Sequence, residues 1–334
     1  MNATTAPVPG TPAPATPSPA AAPGSAARKR VLLAEPRGFC AGVERAIGMV
    51  ERALEIHGSP VYVRKQIIHN QYVVRQLEKR GAIFVESEED VPEGEVCVFS
   101  AHGVSPAVRA SADARELNVI DATCPLVSKV HQEAKRFAAG GRTILLIGHA
   151  EHEEVEGTVG EAPEHIVVVE NLEDARTLQL PAGAEVSYLT QTTLSLDETR
   201  DIAAELLRRF PQLRGPGSDD VCYASQNRQS AVKELAAQAD LVLVVGSDNS
   251  SNSVRMVEVA IRHGAESYLV NDVSKLDESW LRGVTTVGVT SGASAPEILV
   301  EQLVSRLAEL GYGHVDTITT ATEDVVFAMP GSLQ

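Results

Sequence analysis

Four cysteines stand out in the chain: Cys40, Cys97, Cys124 and Cys222. In a long acidic chain without a secretory leader, structural disulfides are not expected, so reduced thiols pack, catalyse or bind metal. Three share a local setting. Cys40 opens Ala41-Gly-Val-Glu-Arg-Ala-Ile-Gly-Met-Val, with apolar residues at helical spacing. Cys124 opens Pro125-Leu-Val-Ser-Lys-Val-His, and Pro125 suits a first helical position, where no N–H is needed. Cys222 precedes the amphipathic run that includes Asn227-Arg-Gln-Ser-Ala-Val-Lys-Glu-Leu. Each thiol is therefore expected at or just before a helix N-terminus, where the helix dipole lowers a thiol pKa and favours the metal-binding thiolate. Three thiolates with no obvious fourth suggest a 4Fe–4S cubane with one iron open as a Lewis acid. Structural zinc usually takes Cys-x-x-Cys pairs, which are absent, but a catalytic three-cysteine zinc site is not excluded by spacing. Cys97 lies in the apolar run Val96-Cys-Val-Phe and reads as a packed small hydrophobe.

The elements that must carry these thiols repeat with them. After each expected helix comes a strand and then a polar loop: Val61–Arg64 running on to His69 and Asn70, Thr143–Ile147 leading to His152 and Glu154, and Leu241–Val245 leading to Ser250–Ser253. His69 lies 29 residues after Cys40, His152 lies 28 after Cys124, and Ser250 lies 28 after Cys222. A second strand and loop follow in each unit, ending at His102, at Thr192 and at Ser291–Ser294. Strands alternating with helices predict α/β modules with parallel sheets, whose ligands bind beyond the carboxyl ends of the strands. Three related modules around an axis would bring three thiols and six loops to one centre. The expected units are 30–122, 123–220 and 221–310, with a Pro/Ala-rich disordered extension over 1–29 and a tail over 311–334.

Bulk properties restrict the partners. The 334 residues are 43% hydrophobic and carry a formal net charge of −16, with a pI near 5.0. That field opposes nucleic acid and anionic membrane, and an anionic substrate would need a dedicated set of donors. No apolar run approaches membrane-spanning length, and a cytoplasmic location is expected. No Gly-x-Gly-x-x-Gly fingerprint follows a strand, so no nicotinamide site is expected.

The motifs Pro36-Arg-Gly-Phe-Cys40-Ala-Gly-Val, Ser100-Ala-His-Gly-Val104, Asp121-Ala-Thr-Cys124-Pro-Leu-Val, Thr190-Gln-Thr-Thr-Leu194, Cys222-Tyr-Ala-Ser225, Asn249-Ser-Ser-Asn-Ser253 and Thr290 through Ser294-Ala-Pro resemble those of the 4-hydroxy-3-methylbut-2-enyl diphosphate reductase (IspH/LytB) family, in order, from about Arg30 to Pro330. The resemblance implies a pseudo-threefold arrangement of the modules around a 4Fe–4S cluster held by Cys40, Cys124 and Cys222. It implies reductive dehydroxylation of (E)-4-hydroxy-3-methylbut-2-enyl diphosphate to isopentenyl and dimethylallyl diphosphates, the last step of the methylerythritol phosphate isoprenoid pathway. Electrons would come from ferredoxin or flavodoxin. The diphosphate would be bound by His69, His102, His152, Ser250, Asn252 and Ser294, with Ser251 adjacent. Protonated imidazoles would supply positive charge.

Glu154 would be the proton source, aided by Thr192 and His152, with its pKa raised by the cluster and the diphosphate. Glu151, Glu153 and Glu156 read as a solvated acidic edge. The family's His-Pro-Glu is His152-Glu153-Glu154 here, a change expected to loosen the loop, and its Cys-x-Ala-Thr is Cys222-Tyr-Ala-Ser225. An iron–sulfur sensor without turnover is the competing class. It has no use for the histidine, serine and asparagine set. A zinc hydrolase of a diphosphate is a third.

Overall fold

The computed structural model describes residues 28–333. The extension expected over 1–29 therefore falls, up to residue 27, outside the described residues.

Strand β1 (Arg30–Glu35) leads into helix α1 (Ala41–His57). The first module then runs β2 (Val61–Arg64), α2 (Gln71–Lys79), β3 (Ala82–Val85), β4 (Val96–Phe99), α3 (Pro106–Ala114) and β5 (Asn118–Asp121). The second runs α4 (Pro125–Ala139), β6 (Thr143–Ile147), α5 (Glu153–Glu161), β7 (Ile166–Val169), α6 (Leu172–Thr177), β8 (Val186–Thr190) and α7 (Leu196–Arg209). The third runs α8 (Tyr223–Ala236), β9 (Leu241–Val245), α9 (Ser251–Arg262), β10 (Glu266–Val270), β11 (Thr286–Ser291), α10 (Glu297–Glu309) and β12 (His314–Thr319). All strand pairings in the three sheets are parallel, in the orders β3-β2-β4-β5, β7-β6-β8 and β10-β9-β11-β1-β12.

Two strands lie outside the units expected for them. β1 pairs β11 on one side, with Arg30 opposite Thr286, and β12 on the other, with Arg30 opposite His314. The chain thus starts in the third sheet, and the expected tail ends it there. The burial of β1 accounts for this: Val31 packs on one face of the third sheet, Leu32 and Ala34 on the other. From β12 the chain crosses to α1, where Met329 and Leu333 join the first module's core. Arg45 donates to the Ala328 carbonyl at 3.0 Å and Arg52 to that of Leu333 at 3.2 Å.

The central strands are apolar on both faces, as sheets covered by helices on both sides require. In β9, Leu241, Leu243 and Val245 enter one core and Val242 and Val244 the other. β6 divides in the same way, Ile144 and Leu146 against Leu145 and Ile147. β4 places Val96 and Val98 in one cluster and Cys97 and Phe99 in another. Each such side chain contributes roughly 1.5–3 kcal/mol on burial. Cys97 is thus core, and burial pushes its thiol up to about 12, the state of an inert packing residue. Among the described residues, no helix is long and apolar enough to cross a membrane.

Candidate active site

Loops at the carboxyl ends of strands from all three sheets converge on one pocket. Its wall includes Cys40, Cys124, Cys222, His69, His102, His152, Glu154, Thr192, Ser250, Ser251, Asn252 and Ser294, so all the site residues expected from sequence meet there.

The three cysteines occupy the N-cap positions of α1, α4 and α8. Each backbone N–H is held by a neighbouring module. Cys40 donates to the Ala293 carbonyl (3.3 Å), Cys124 to Ala101 (3.0 Å) and Cys222 to Thr192 (2.9 Å). Those acceptors lie in the loops after β11, β4 and β8, the second-strand loops of the repeat. Backbone crowding brings the thiols together. Gly42 is buried in the first turn of α1, and a Cβ there would lie 2.8 Å from Cys124 Sγ and 3.8 Å from Cys40 Sγ. No disulfide joins them.

The pKa values of Cys124 and Cys222 reverse the sequence expectation. Burial pushes Cys124 up to about 12 and Cys222 to about 11, and the neighbouring cysteines add to both. The helix-end donors Leu126 and Val127 act in the opposite sense at Cys124, as Ser225 does at Cys222, but desolvation dominates.

Glu154 is buried in the first turn of α5. Its Oε1 accepts the Thr192 N–H at 2.6 Å and its Oε2 accepts the Thr192 hydroxyl at 3.0 Å. Burial raises its pKa to about 7 despite those bonds, with Asp220 adding to the rise. The expected direction holds, but the carboxyl is held up by desolvation in the protein itself, without cluster or diphosphate charge. Asp220, unnoticed in the sequence, is likewise raised to about 6 by burial while Lys129 and the Thr190 N–H hold it in place.

Histidines 69, 102 and 152 form a ring cluster. His69 and His102 stack with centroids 4.0 Å apart, and His152 meets them edge-on at 5.2 and 5.7 Å. Burial and the neighbouring imidazoles push His69 well below the ordinary range, and the same causes lower His152 to about 3. Those two imidazoles are neutral in this pocket, against the expectation of protonated rings. Neither ring nitrogen of His69 has a partner.

The third-module wall is a hydroxyl network. Ser253 Oγ donates to Ser250 Oγ at 3.1 Å, and Ser250 and Ser294 share a hydrogen bond at 3.2 Å. Asn252 accepts the Ala293 N–H and donates to Ser225 Oγ, which neighbours Cys222 Sγ at 3.2 Å. Ser251 Oγ is buried and unpartnered.

Three further residues escaped the sequence reading. Tyr223 and Phe327 line the pocket. Tyr223 was within reach, being the variable residue after a motif cysteine; Phe327 sits in a stretch without a motif. Arg228, fully buried on α8, donates to the carbonyl of Gly38 at 2.7 Å and pairs with Glu323 at 3.0 Å. Gly38 has a φ of +70°, a left-handed turn that sends the chain to Cys40. Glu153 corrects another expectation. It is not a solvated edge: its Oε2 lies 3.1 Å from His102 Nδ1 and ties the loop down instead of loosening it. The ligand atoms of His69, His102 and Glu153 lie within 4.8 Å of one another, near enough to share a cation, but the Glu153–His102 hydrogen bond already engages two of them.

Three parallel α/β modules closing thiols, imidazoles, hydroxyls and one buried carboxylic acid around a single cavity define a three-module protein with a central pocket. The LytB protein family matches residues 31–308. Proteins named 4-hydroxy-3-methylbut-2-enyl diphosphate reductase from Mycobacterium ulcerans (strain Agy99) and Acidothermus cellulolyticus (strain ATCC 43068 / DSM 8971 / 11B) are each 60% identical over 308 residues, 92% of this chain and 93% and 91% of theirs. The solved E-1-hydroxy-2-methyl-but-2-enyl-4-diphosphate reductase of Plasmodium falciparum superposes with a TM-score of 0.89 at 40% identity, covering 92% of this chain and 97% of that one. The chain belongs to the LytB family.

Proposed function

We infer that the chain reductively removes the hydroxyl of (E)-4-hydroxy-3-methylbut-2-enyl diphosphate, giving isopentenyl and dimethylallyl diphosphates, on a 4Fe–4S cluster held by Cys40, Cys124 and Cys222. The observation that carries this is the meeting of three helix-capping cysteines with a buried, protonatable Glu154 in one pocket. The donor set suits the cluster: three free thiols, no fourth cysteine in the wall, and at Gly42 a backbone approach that a side chain would obstruct. When bound, the cluster supplies electrons and a Lewis-acidic iron.

The remaining chemistry belongs to the chain. With a pKa of about 7, Glu154 carries a proton over much of the neutral range and can deliver it to the departing hydroxide. Thr192, bonded to that carboxyl through both its N–H and its hydroxyl, orients the acid and stands where it can contact the substrate alcohol. His69, His102, His152, Ser250, Ser251, Asn252 and Ser294 supply donors for the diphosphate. Unpartnered His69 and Ser251 are free to turn to it. Tyr223 and Phe327 add aromatic surface to the same wall. Ferredoxin or flavodoxin would bring the electrons, and a cytoplasmic location would supply both.

Anaerobic purification followed by iron and sulfide analysis tests the cluster, and turnover of the allylic diphosphate with a chemical reductant tests the reaction. Colourless, zinc-bearing protein would overturn the first. An iron–sulfur protein without turnover would leave the sensor.

A further inference from the structure

The three pocket imidazoles differ in what each Nδ1 touches. His152 caps α5, its Nδ1 accepting the Glu154 N–H at 3.1 Å. A proton on that nitrogen would face a donor, so His152 is held neutral with its proton on Nε2. His69 has no partner on either nitrogen, so a charge there would go uncompensated. His102 alone of the three has a carboxylate, with Glu153 Oε2 at 3.1 Å from Nδ1 and Ser100 Oγ at 3.3 Å. An ionised carboxylate only accepts, so Nδ1 carries a proton. Burial acts to raise Glu153, but the His102 hydrogen bond and charge, with Lys65, outweigh it and hold the carboxyl below its usual range.

We propose that Glu153 is a positioning residue that makes His102 the charged imidazole of the cluster, so that its Nε2–H meets the substrate diphosphate as an imidazolium while His69 and His152 bind it as neutral donors. Two rings stacked 4.0 Å apart cannot both carry charge at low cost, and Glu153 selects which one does. The groups facing His102 are His69 and Lys65 from the loop after β2, and His152, Glu153 and Glu154 from the start of α5. Lys65 is partly neutralised by Glu156 at 3.1 Å. The inference rests on the pocket being a diphosphate site.

Charge alone predicts the opposite sign, which makes the test sharp: removing a carboxylate from an anion site should tighten anion binding. The test is calorimetric titration of the cluster-loaded protein, E153Q and E153D with inorganic pyrophosphate from about pH 6 to about pH 9. The ligand's own protonation is common to all three and cancels. E153Q should bind pyrophosphate more weakly, by about tenfold, once the pH is above neutral. Its curve should meet that of the unsubstituted protein at the acid end, and E153D should retain most of the affinity. In turnover, KM should rise by a similar factor with kcat little changed. Tighter or unchanged binding by E153Q overturns the proposal. So does a loss equal at every pH, which would mark mere damage to the loop. Pyrophosphate binding without turnover in the unsubstituted protein would sink the proposed reaction, while the pH curves would still decide the role of Glu153.

Discussion

Glu154→Gln isolates the proton from everything else at the site. Gln is nearly isosteric, its Oε1 can still accept the Thr192 N–H, and its amide can donate to the Thr192 hydroxyl where Glu154 now accepts. What is lost is an acid of pKa about 7. General acids contribute roughly 10²–10⁴ in rate, so kcat should fall at least about 100-fold while iron content and KM stay near those of the unsubstituted protein. In the unsubstituted protein, the protonated fraction at about pH 8 is roughly one tenth, so kcat/KM should drop about tenfold between about pH 6 and about pH 8. The variant's residual rate should lack that slope. Anaerobic turnover of the allylic diphosphate with a chemical reductant reads both. Retention of more than about a third of kcat would place the acid elsewhere.

The same substitution should change stability in the opposite direction. Burial raises Glu154 from 4.5 in an ordinary setting to about 7 in the fold. Below the lower value both states are neutral and nothing is lost. As the pH rises, the unfolded chain ionises while the folded one resists, and above about 7 the full cost is present. A shift of this size corresponds to about 3 kcal/mol. Gln carries no such penalty, so E154Q should equal the unsubstituted protein at acid pH and exceed it by up to about 3 kcal/mol at alkaline pH. Denaturant midpoints taken across that window measure the gap. A gap that does not grow with pH would show that the carboxyl is solvated after all.

Three other substitutions test the supports of the pocket. Gly42→Ala places a Cβ against Cys124 Sγ, and iron content after anaerobic reconstitution should fall by more than about half with the helical circular dichroism retained; full iron would show that α1 can give way. Arg228→Met strips the Gly38 carbonyl of its buried donor and leaves Glu323 with Asn227 alone, at a cost of about 1–3 kcal/mol in denaturant unfolding; a change under about 0.5 kcal/mol would mean water replaces the guanidinium. Cys97→Ala should cost only about 1–2 kcal/mol and leave iron content unaltered, whereas loss of iron would make Cys97 part of the site.

Much of the site was legible because its residues sit at repeated offsets. Cys40, Cys124 and Cys222 announced themselves by preceding apolar runs of helical period, and all three prove to be N-caps. The strands Thr143–Ile147 and Leu241–Val245 matched because continuous apolar runs between turns are buried parallel strands. β1 was misplaced because its pairing partner, β11, lies more than 250 residues away, and local pattern carries no register across that distance. The protonation states of His69, His152, Cys124 and Cys222 were misjudged for another reason. The dipole and donor effects are local and readable, but desolvation depends on how tightly three modules close. Glu153 looked like one more carboxylate in an acidic run; only the approach of the β4 loop to the start of α5 brings His102 to it.

That approach belongs to a wider arrangement. The loop carbonyl that holds Cys124 is that of Ala101, next to His102; the carbonyl that holds Cys40 is that of Ala293, next to Ser294; the one that holds Cys222 is that of Thr192 itself. Each second-strand loop therefore fixes a cysteine through its backbone and faces the pocket through a side chain in the same or the next residue. Any one of these hydrogen bonds is worth only about 0.5–1.5 kcal/mol, so their value lies in geometry more than stability. A module cannot shift against its neighbour without moving a thiol and a ligand-facing side chain together. The spacing between the sulfurs and the groups that would hold a diphosphate is thus set by backbone contacts between modules. This is why a pocket built from three separate sheets can keep the fixed geometry that positioning a reacting group demands.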